Sequence, residues 1–237
     1  MPKRLGKRTI IFENRPRIEG FYASVGKKEG EGPLAKDFDE INDDVSLGLG
    51  SFERAESEFQ RRAVLGALKK AGVSPTEVDA IFAGDLLNQC IGSSFGVMDL
   101  EIPFLGLYGA CSTMALSLIN AAVHVDSGAA NRALAVTSSH FCSAERQYRF
   151  PLEYGSQRPQ TAQWTVTGSG AALIGNQGAI YAHSATVGKI CDLGVKDQNN
   201  MGAAMAPDDV KIRPYPMGIG VRNLDLFSIV VFALAAF

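Results

Sequence analysis

The sequence predicts an α/β fold built on a parallel or mixed sheet that helices cover on both faces. Short apolar runs alternate with helical patterns between residues 51 and 139, and this alternation favours such a sheet. A short, predominantly apolar run, such as 78–83, is typical of a strand buried on both faces. The 237 residues are enough for one large domain or two small ones.

The clearest helix signal covers residues 51–71. Apolar residues recur there at every third or fourth position, with Ser51 as a candidate N-cap and Gly72 just beyond the end. The Ser-Pro-Thr-Glu sequence at 74–77 is a capping-box pattern with proline at the first helical position, so it predicts one short helical turn. A buried strand over 78–83 follows and ends at a Gly-Asp turn.

The same alternation then repeats. We expect a short helix over 93–100, a second apolar strand over 102–108 and another strand over 133–139. Between these strands, residues 112–126 form a helical pattern that is apolar nearly all round. A helix without a polar face is buried on all sides.

Other regions carry weaker signals. We interpret residues 1–50 as irregular apart from a candidate strand over 9–12. Residues 140–163 contain arginines, tyrosines and prolines and predict a long loop, which in a compact domain is usually functional or interfacial. Beyond this loop, two runs predict an antiparallel strand pair, 165–174 and 180–187.

Composition excludes several classes of protein. A net charge of −2 with 46% apolar and 20% charged residues does not fit a disordered chain. The four cysteines show no CxxC spacing and the three histidines are scattered, so we expect reduced thiols and neither a zinc site nor another cofactor. No apolar run reaches the ~18 residues of a membrane span or follows the first basic residues as a secretory signal would.

Charge is unevenly distributed near the start of the chain. Residues 1–36 hold nine basic and four acidic side chains, a balance of +5, whereas residues 37–58 hold one basic and eight acidic, a balance of −7. The two blocks either attract each other or face solvent. A nucleic-acid partner would need a sustained basic face with interleaved aromatic residues, which this sequence lacks.

The strongest candidate for chemistry is Cys111. It follows a predicted strand and a Gly-Ala turn at 109–110 and stands at the mouth of the apolar helix. A helix N-terminus has free N–H groups and partial positive charge, which lower the pKa of a thiol and can hold an anion. A cysteine merely buried in a turn of small residues is the alternative.

This segment resembles the nucleophile region of the thiolase and ketoacyl-synthase superfamily, and residues 168–174 resemble its Gly-Asp-Gly-Ala strand, with Ser169 in place of the aspartate. The sequence is most similar to one branch, the stage V sporulation protein AD family of endospore-forming bacteria, over residues 5–208. The runs that carry this resemblance are 83–89, 104–113, 132–135, 137–140, 144–147, 165–170 and 184–189.

The resemblance implies a thiolase-like layered α/β/α fold made of two similar halves. We expect residues 1–188 to be a complete N-terminal half, 189–209 to begin the second half, and that half to be largely missing. Residues 210–237 form a divergent apolar tail with a twelve-residue run over 226–237. Either the tail is a final buried element, or it marks a frameshift or truncation.

The resemblance also implies function. Members of this branch are regarded as non-catalytic subunits that bind dipicolinic acid, as its calcium chelate, for uptake into the developing spore. Dipicolinate is a flat dianion that needs hydrogen-bond donors and positive potential in a cleft. Seven residues are candidates for its binding site: Cys111, Ser112, Ser138, Ser139, His140, Arg146 and Arg149.

The expected partners are other stage V sporulation A proteins and a second copy of the chain. We expect the protein on the cytoplasmic side of the spore inner membrane, where partner proteins hold it. An acyltransferase that uses Cys111 is the alternative, with contact between His140 and Cys111 as a hypothesis. The superfamily's catalytic His and Asn belong to the second half and cannot be located here. A third interpretation is a truncated, aggregation-prone product without function.

Overall fold

The computed structural model describes residues 1–148, 164–188, 194 and 196, together with the backbone of one strand at 218–222. In chain order the strands and helices are β1 (Lys3–Leu5), β2 (Thr9–Ile11), β3 (Arg17–Gly26), α1 (Lys27–Gly30), β4 (Glu40–Asn42), α2 (Phe52–Ala71), β5 (Ala80–Gly84), α3 (Ile91–Val97), β6 (Phe104–Gly106), α4 (Thr113–Ser127), β7 (Ala133–Ser139), α5 (Phe141–Tyr148), β8 (Gly168–Gly175), β9 (Tyr181–Thr186) and β10 (Gly218–Arg222).

The strands form one mixed sheet in the order β1-β2-β9-β3-β8-β7-β5-β6, with β4 paired to β3 and β10 paired to β9. Strands β5, β6 and β7 are parallel to one another, whereas β8 is antiparallel to both β7 and β3. The predicted α/β fold on a mixed sheet is therefore confirmed.

Helices α2 and α4 cover opposite faces of the centre of the sheet. On one face, Leu134 and Val136 of β7 pack in a cluster with Val64 and Leu68 of α2. On the other face, Ala133 and Ala135 pack with α4 through the side chains of Met114, Leu118, Ala121 and Val125. Every residue of β7 is buried, so the apolar run marks a strand covered on both sides, as expected.

The predicted caps of α2 and of the turn that follows it are confirmed. The Ser51 hydroxyl accepts a hydrogen bond from the Arg54 N–H at 3.2 Å, and Gly72 ends α2 with a left-handed φ of 67°. The Ser74–Glu77 capping box is present around a single 3₁₀ turn. These signals depend on neighbours within four residues, which explains why sequence alone locates them.

The interpretation of residues 1–50 as irregular is wrong for β3, a ten-residue strand near the middle of the sheet. Its first half carries charged Arg17 and Glu19 and is only half-buried, which obscures the strand pattern. Gly20 lies under α2, where an added Cβ would approach the Ala67 carbonyl oxygen to 2.6 Å. Packing against α2, rather than alternation, supports this part of the strand.

The expected antiparallel pairing of the two late strands is also wrong. Strand β3 lies between β8 and β9 and is antiparallel to each of them, so β8 and β9 run in the same direction. A hairpin prediction assumes that consecutive strands are neighbours, which is a tendency and not a rule. Here β3, from much earlier in the chain, lies between β8 and β9.

Two further elements differ from expectation. The start of the predicted loop over 140–163 is helix α5, which begins immediately after β7. The predicted strand over 102–108 shortens to β6, an exposed edge strand of three residues. The remainder of that loop and the segment 189–209, apart from residues 194 and 196, lie outside the described residues. Within the predicted tail over 210–237, the structure describes only strand β10, which is antiparallel to β9.

Candidate functional site

The connection from β6 to α4 forms a tight turn at the carboxyl end of the parallel strands. A 3₁₀ turn over Ala110–Ser112 leads directly into Thr113, and Ala110 has a left-handed φ of 45° that is unusual for a residue with a Cβ. The Thr113 hydroxyl donates to the Ala110 carbonyl oxygen at 2.7 Å. The Ser112 hydroxyl donates to the Gly109 carbonyl oxygen at 2.8 Å. These bonds hold Cys111 and Ser112 at the start of a fifteen-residue helix.

The thiol of Cys111 is half-buried in this turn. Burial raises its pKa above the ordinary value of a thiol, and a hydrogen bond from its own backbone N–H acts in the opposite direction but more weakly. The expectation that this pKa is lowered is therefore wrong, because the loss of hydration on burial is the larger of the two influences on the thiol. At neutral pH the side chain is a thiol, not a thiolate.

The predicted site residues on β7 lie on opposite faces of the sheet. Ser138 points towards α2, where it donates to Glu56 Oε1 at 3.2 Å. Ser139, one position further along the strand, points to the other face and donates to the Val166 carbonyl oxygen at 2.6 Å. Both hydroxyls are buried and bonded within the protein.

His140 does not form the hypothesised pair with Cys111. Its Nε2 lies 2.9 Å from the Val45 carbonyl oxygen, and its Nδ1 accepts a hydrogen bond from the Cys142 N–H at 3.2 Å. The ring is fully buried and stacks on Phe52 with centroids 5.1 Å apart. Burial lowers the pKa of His140, so the ring is a neutral packing element whose two nitrogen atoms are both engaged.

The structure describes only one of the two candidate arginines, Arg146 and Arg149. Arg146 lies on α5 and forms an ion pair with Glu53 at the start of α2. Arg149 lies outside the described residues. The structure therefore brings Cys111 and Ser112 together, and it engages Ser138, Ser139, His140 and Arg146 in contacts with other parts of the protein.

A buried polar network behind the end of β7 was not anticipated. Glu56 is fully buried on α2 and accepts hydrogen bonds from Ser138 and, at 2.8 Å, from Ser143. Gln60, one turn along α2, donates from Nε2 to Ser93 Oγ at 3.1 Å and lies 3.4 Å from Ser138 Oγ. The network joins α2, α3, β7 and α5.

The network extends to Asp85, directly after β5. One oxygen of this carboxylate accepts from the N–H and hydroxyl of Ser93 at 2.7 and 2.6 Å, and the other accepts from the Leu87 N–H at 2.8 Å. Burial, assisted by the charge of Asp85, raises the pKa of Glu56 to about 8. Glu56 is therefore protonated at neutral pH, as expected for a buried carboxyl beside a second carboxyl.

A sequence signal for this network was available. Glu56 and Gln60 stand four residues apart within the apolar stripe of the α2 pattern, where a polar residue must find a buried partner. The partners themselves lie 33 to 87 residues away along the chain, so the sequence does not reveal them.

Comparison with solved structures identifies the fold class. The chain matches a variant of OleA from Xanthomonas campestris bound with cerulenin at a TM-score of 0.59 and 12% identity, over 86% of this chain and 70% of that one. It matches 3-oxoacyl-(acyl carrier protein) synthase III from Pseudomonas aeruginosa at a TM-score of 0.50 and 14% identity, over 84% and 69%. At this identity the likeness shows the fold alone, and that fold is thiolase-like.

Sequence comparison then gives the family. The family model for stage V sporulation protein AD (SpoVAD) matches residues 6–215. The stage V sporulation protein AD of Bacillus subtilis is 46% identical over 206 residues, which make up 86% of this chain and 61% of that protein. The chain belongs to the SpoVAD family of sporulation proteins, and it spans less than two thirds of the length of this relative.

Among the residues that the structure describes, no helix is long and apolar enough to cross a membrane. Nor does any group of three or more His, Cys, Asp or Glu side chains lie close enough together there to hold a metal ion.

Proposed function

We propose that this protein is a non-catalytic thiolase-like subunit that binds dipicolinic acid, or its calcium chelate, for uptake into the developing spore. Membership of the SpoVAD family supports the sporulation role. The observation that carries the binding role is the turn that places Cys111 and Ser112 at the N-terminus of α4. Partial positive charge at that point favours a dianion.

The state of Cys111 supports binding rather than acyl transfer. An acyltransferase needs a thiolate nucleophile with an adjacent base, but burial raises the pKa of Cys111. His140, the candidate base, uses both ring nitrogen atoms in contacts with Val45 and Cys142. In the proposed site Cys111 and Ser112 contact the ligand, whereas Ser138, Ser139 and His140 hold the end of β7 in place.

We expect Ser112→Asp to weaken dipicolinate binding by about tenfold or more, because a carboxylate at this position repels a dianion and cancels the positive end of the helix. Aspartate is also a good N-cap, so the helix itself should not lose stability. Isothermal titration calorimetry with dipicolinate, with and without calcium, measures the change.

The matched control is Ser112→Asn, which has similar size and N-cap preference but no charge. It should bind dipicolinate within about threefold of the unmodified chain, a change of well under 1.4 kcal/mol. Equal binding by the Asp and Asn variants would place the ligand elsewhere. A thioester on Cys111 after incubation with acetyl-CoA, detected by mass spectrometry and lost in Cys111→Ser, would favour the acyltransferase.

The expected homodimer also has a candidate surface in the structure. Ile91, Phe95 and Met98 form a stripe at helical spacing along α3 and the turn that follows, and they are 43%, 60% and 61% exposed. Edge strand β6 pairs only with β5 among the described strands, and Phe104 and Leu105 on it are exposed.

We infer that a second copy of the chain covers this surface, which we call the edge-strand face. The five side chains and nearby Tyr108, which is also exposed, would bury on the order of 500 Å² per copy, or about 1,000 Å² for a pair, close to the lower limit of a specific interface. A two-fold axis beside β6 would also pair the edge of this strand that no described strand covers with the same edge of its copy. We propose this face as the homodimer interface and the other stage V sporulation A proteins as partners at the spore inner membrane.

We expect Phe95→Glu to convert a dimer into a monomer, because it places a charge at the centre of an apolar interface. Light scattering coupled to size-exclusion chromatography measures the mass. Leu49→Glu, at a residue 39% exposed but outside this face, should leave the dimer intact. A dimer that survives Phe95→Glu would exclude the edge-strand face.

A further inference from the structure

The β1–β2 hairpin forms one wall of a cleft at the edge of the sheet. The cleft has a volume of about 370 Å³ and lies between the hairpin and the end of β9, marked by Val187 and Gly188. Its charged lining consists of Arg4, Lys7 and Arg8, and no acidic residue among those that the structure describes lines it. The Val187 N–H donates to the Arg8 carbonyl oxygen at 3.0 Å, which holds the wall in register with β9.

Two cationic residues of this cleft, Arg4 and Lys7, differ from most other cationic residues of the described chain in the groups that they contact. Lys3, Arg62, Lys70, Arg132 and Arg146 each form an ion pair with a carboxylate. Arg4 donates instead to the Gly6 carbonyl oxygen at 2.9 Å, and neither Arg4 nor Lys7 has a described carboxylate within ion-pair distance. Like charges around a concave surface repel one another and raise the local affinity for an anion.

Apolar side chains accompany these charges. Leu5 is 62% exposed at the end of β1, next to the turn that carries Lys7, and Met1 is 76% exposed. Cationic side chains beside exposed apolar ones are typical of surfaces that meet the headgroup region of a membrane. A site for a free anion would need the charges but not the exposed leucine.

We propose that the hairpin cleft binds the phosphate of an anionic phospholipid headgroup. Arg4 and Lys7 contact the phosphate oxygen atoms, because guanidinium and ammonium groups are the usual hydrogen-bond donors to phosphate in proteins. Leu5 then lies against the boundary between headgroups and acyl chains. The cleft is separate from the Cys111 turn, so this contact does not depend on the dipicolinate proposal.

The test measures binding of the full chain to vesicles of phosphatidylglycerol and phosphatidylcholine in equal parts, and to vesicles of phosphatidylcholine alone, by co-sedimentation at low salt. We expect binding only to the anionic vesicles, with an affinity that falls as salt is added. Arg4→Glu combined with Lys7→Glu should lower the apparent affinity by about tenfold or more. The neutral pair Arg4→Gln and Lys7→Gln should give a smaller loss.

The matched control is Lys36→Glu combined with Lys69→Glu, which makes the same charge change at exposed residues away from the cleft. It should keep at least half of the vesicle affinity. Equal loss in the control and cleft variants would overturn the proposal, since it would show attraction by net charge alone. Binding of inorganic pyrophosphate without binding to anionic vesicles would overturn the lipid as the ligand. Circular dichroism melting of each variant separates loss of binding from loss of fold.

Discussion

Gly84→Ala should lower the free energy of unfolding by about 3 kcal/mol or more, among the largest effects of a single methyl group in this protein. Gly84 ends β5 beneath the connection from β6 to α4. A Cβ there would lie 1.9 Å from the carbonyl oxygen of Leu107 and 2.7 Å from Cγ2 of Thr113. The nearest of these atoms is backbone, so relief requires the whole turn to move.

That displacement also reaches the candidate site. Leu107 and Thr113 stand on either side of Cys111 in the chain, and the Leu107 N–H donates to the Ala83 carbonyl oxygen at 2.8 Å. We therefore expect any folded fraction of Gly84→Ala to bind dipicolinate more weakly. Chemical denaturation monitored by the fluorescence of Trp164, together with calorimetry, measures both effects.

Gly50→Ala is the matched control. Gly50 has open space around its Cβ position and does not need a left-handed φ, so the change should alter stability by less than about 0.5 kcal/mol. If Gly84→Ala unfolds at the same denaturant concentration as the unmodified chain, the close approach of β5 to the Leu107 turn is wrong.

The second large effect is a loss of stability of the unmodified chain as the pH rises from 6.5 to 8. We expect Glu56→Gln to remove this pH-dependent loss. In the folded protein the pKa of Glu56 is raised to about 8 from 4.5, so the folded state holds one proton that the unfolded state has released in this range. Raising the pH therefore favours unfolding, by up to roughly tenfold in the equilibrium constant per pH unit. The loss levels off above the folded pKa.

Glutamine has no charge to bury, and its amide can still bond both serine hydroxyls that contact Glu56, because Oε1 accepts from one hydroxyl and the Nε2 group donates to the oxygen of the other. We expect the Gln variant to be more stable than the unmodified chain at pH 8 and to differ less from it at pH 6.5. Denaturant melts of the two proteins at several pH values give this difference, in which the other titrating groups cancel. Glu31→Gln, at an exposed carboxylate, should show no such trend.

His140 acts in the opposite direction and sets the lower limit of this range. Its pKa is lowered by burial, so its contribution to stability is lost as the pH falls. A difference between the Gln variant and the unmodified chain that stays constant from pH 6.5 to 8 would contradict a protonated Glu56.

The sequence by itself determined the parts of this protein that depend on short-range chemistry. The limits of α2, the capping box at Ser74 and the turn before α4 each follow from residues within a few positions of one another. The quoted sequence runs also identified the SpoVAD family, which the family comparison confirmed. The apolar run 133–136 at the start of β7 indicated burial because a strand covered on both faces has no polar side.

Tertiary structure decided what depends on pairing across the chain. The place of β3 between β8 and β9 joins residues about 150 positions apart, and no local pattern encodes such an order. The same reason explains the site: Val45 engages His140, and Glu56 engages Ser138 and Ser143. Residue type indicated that these groups could do chemistry, but only the fold showed which of them already form hydrogen bonds within the protein. A hydrogen bond to a distant partner leaves no trace in the neighbouring sequence.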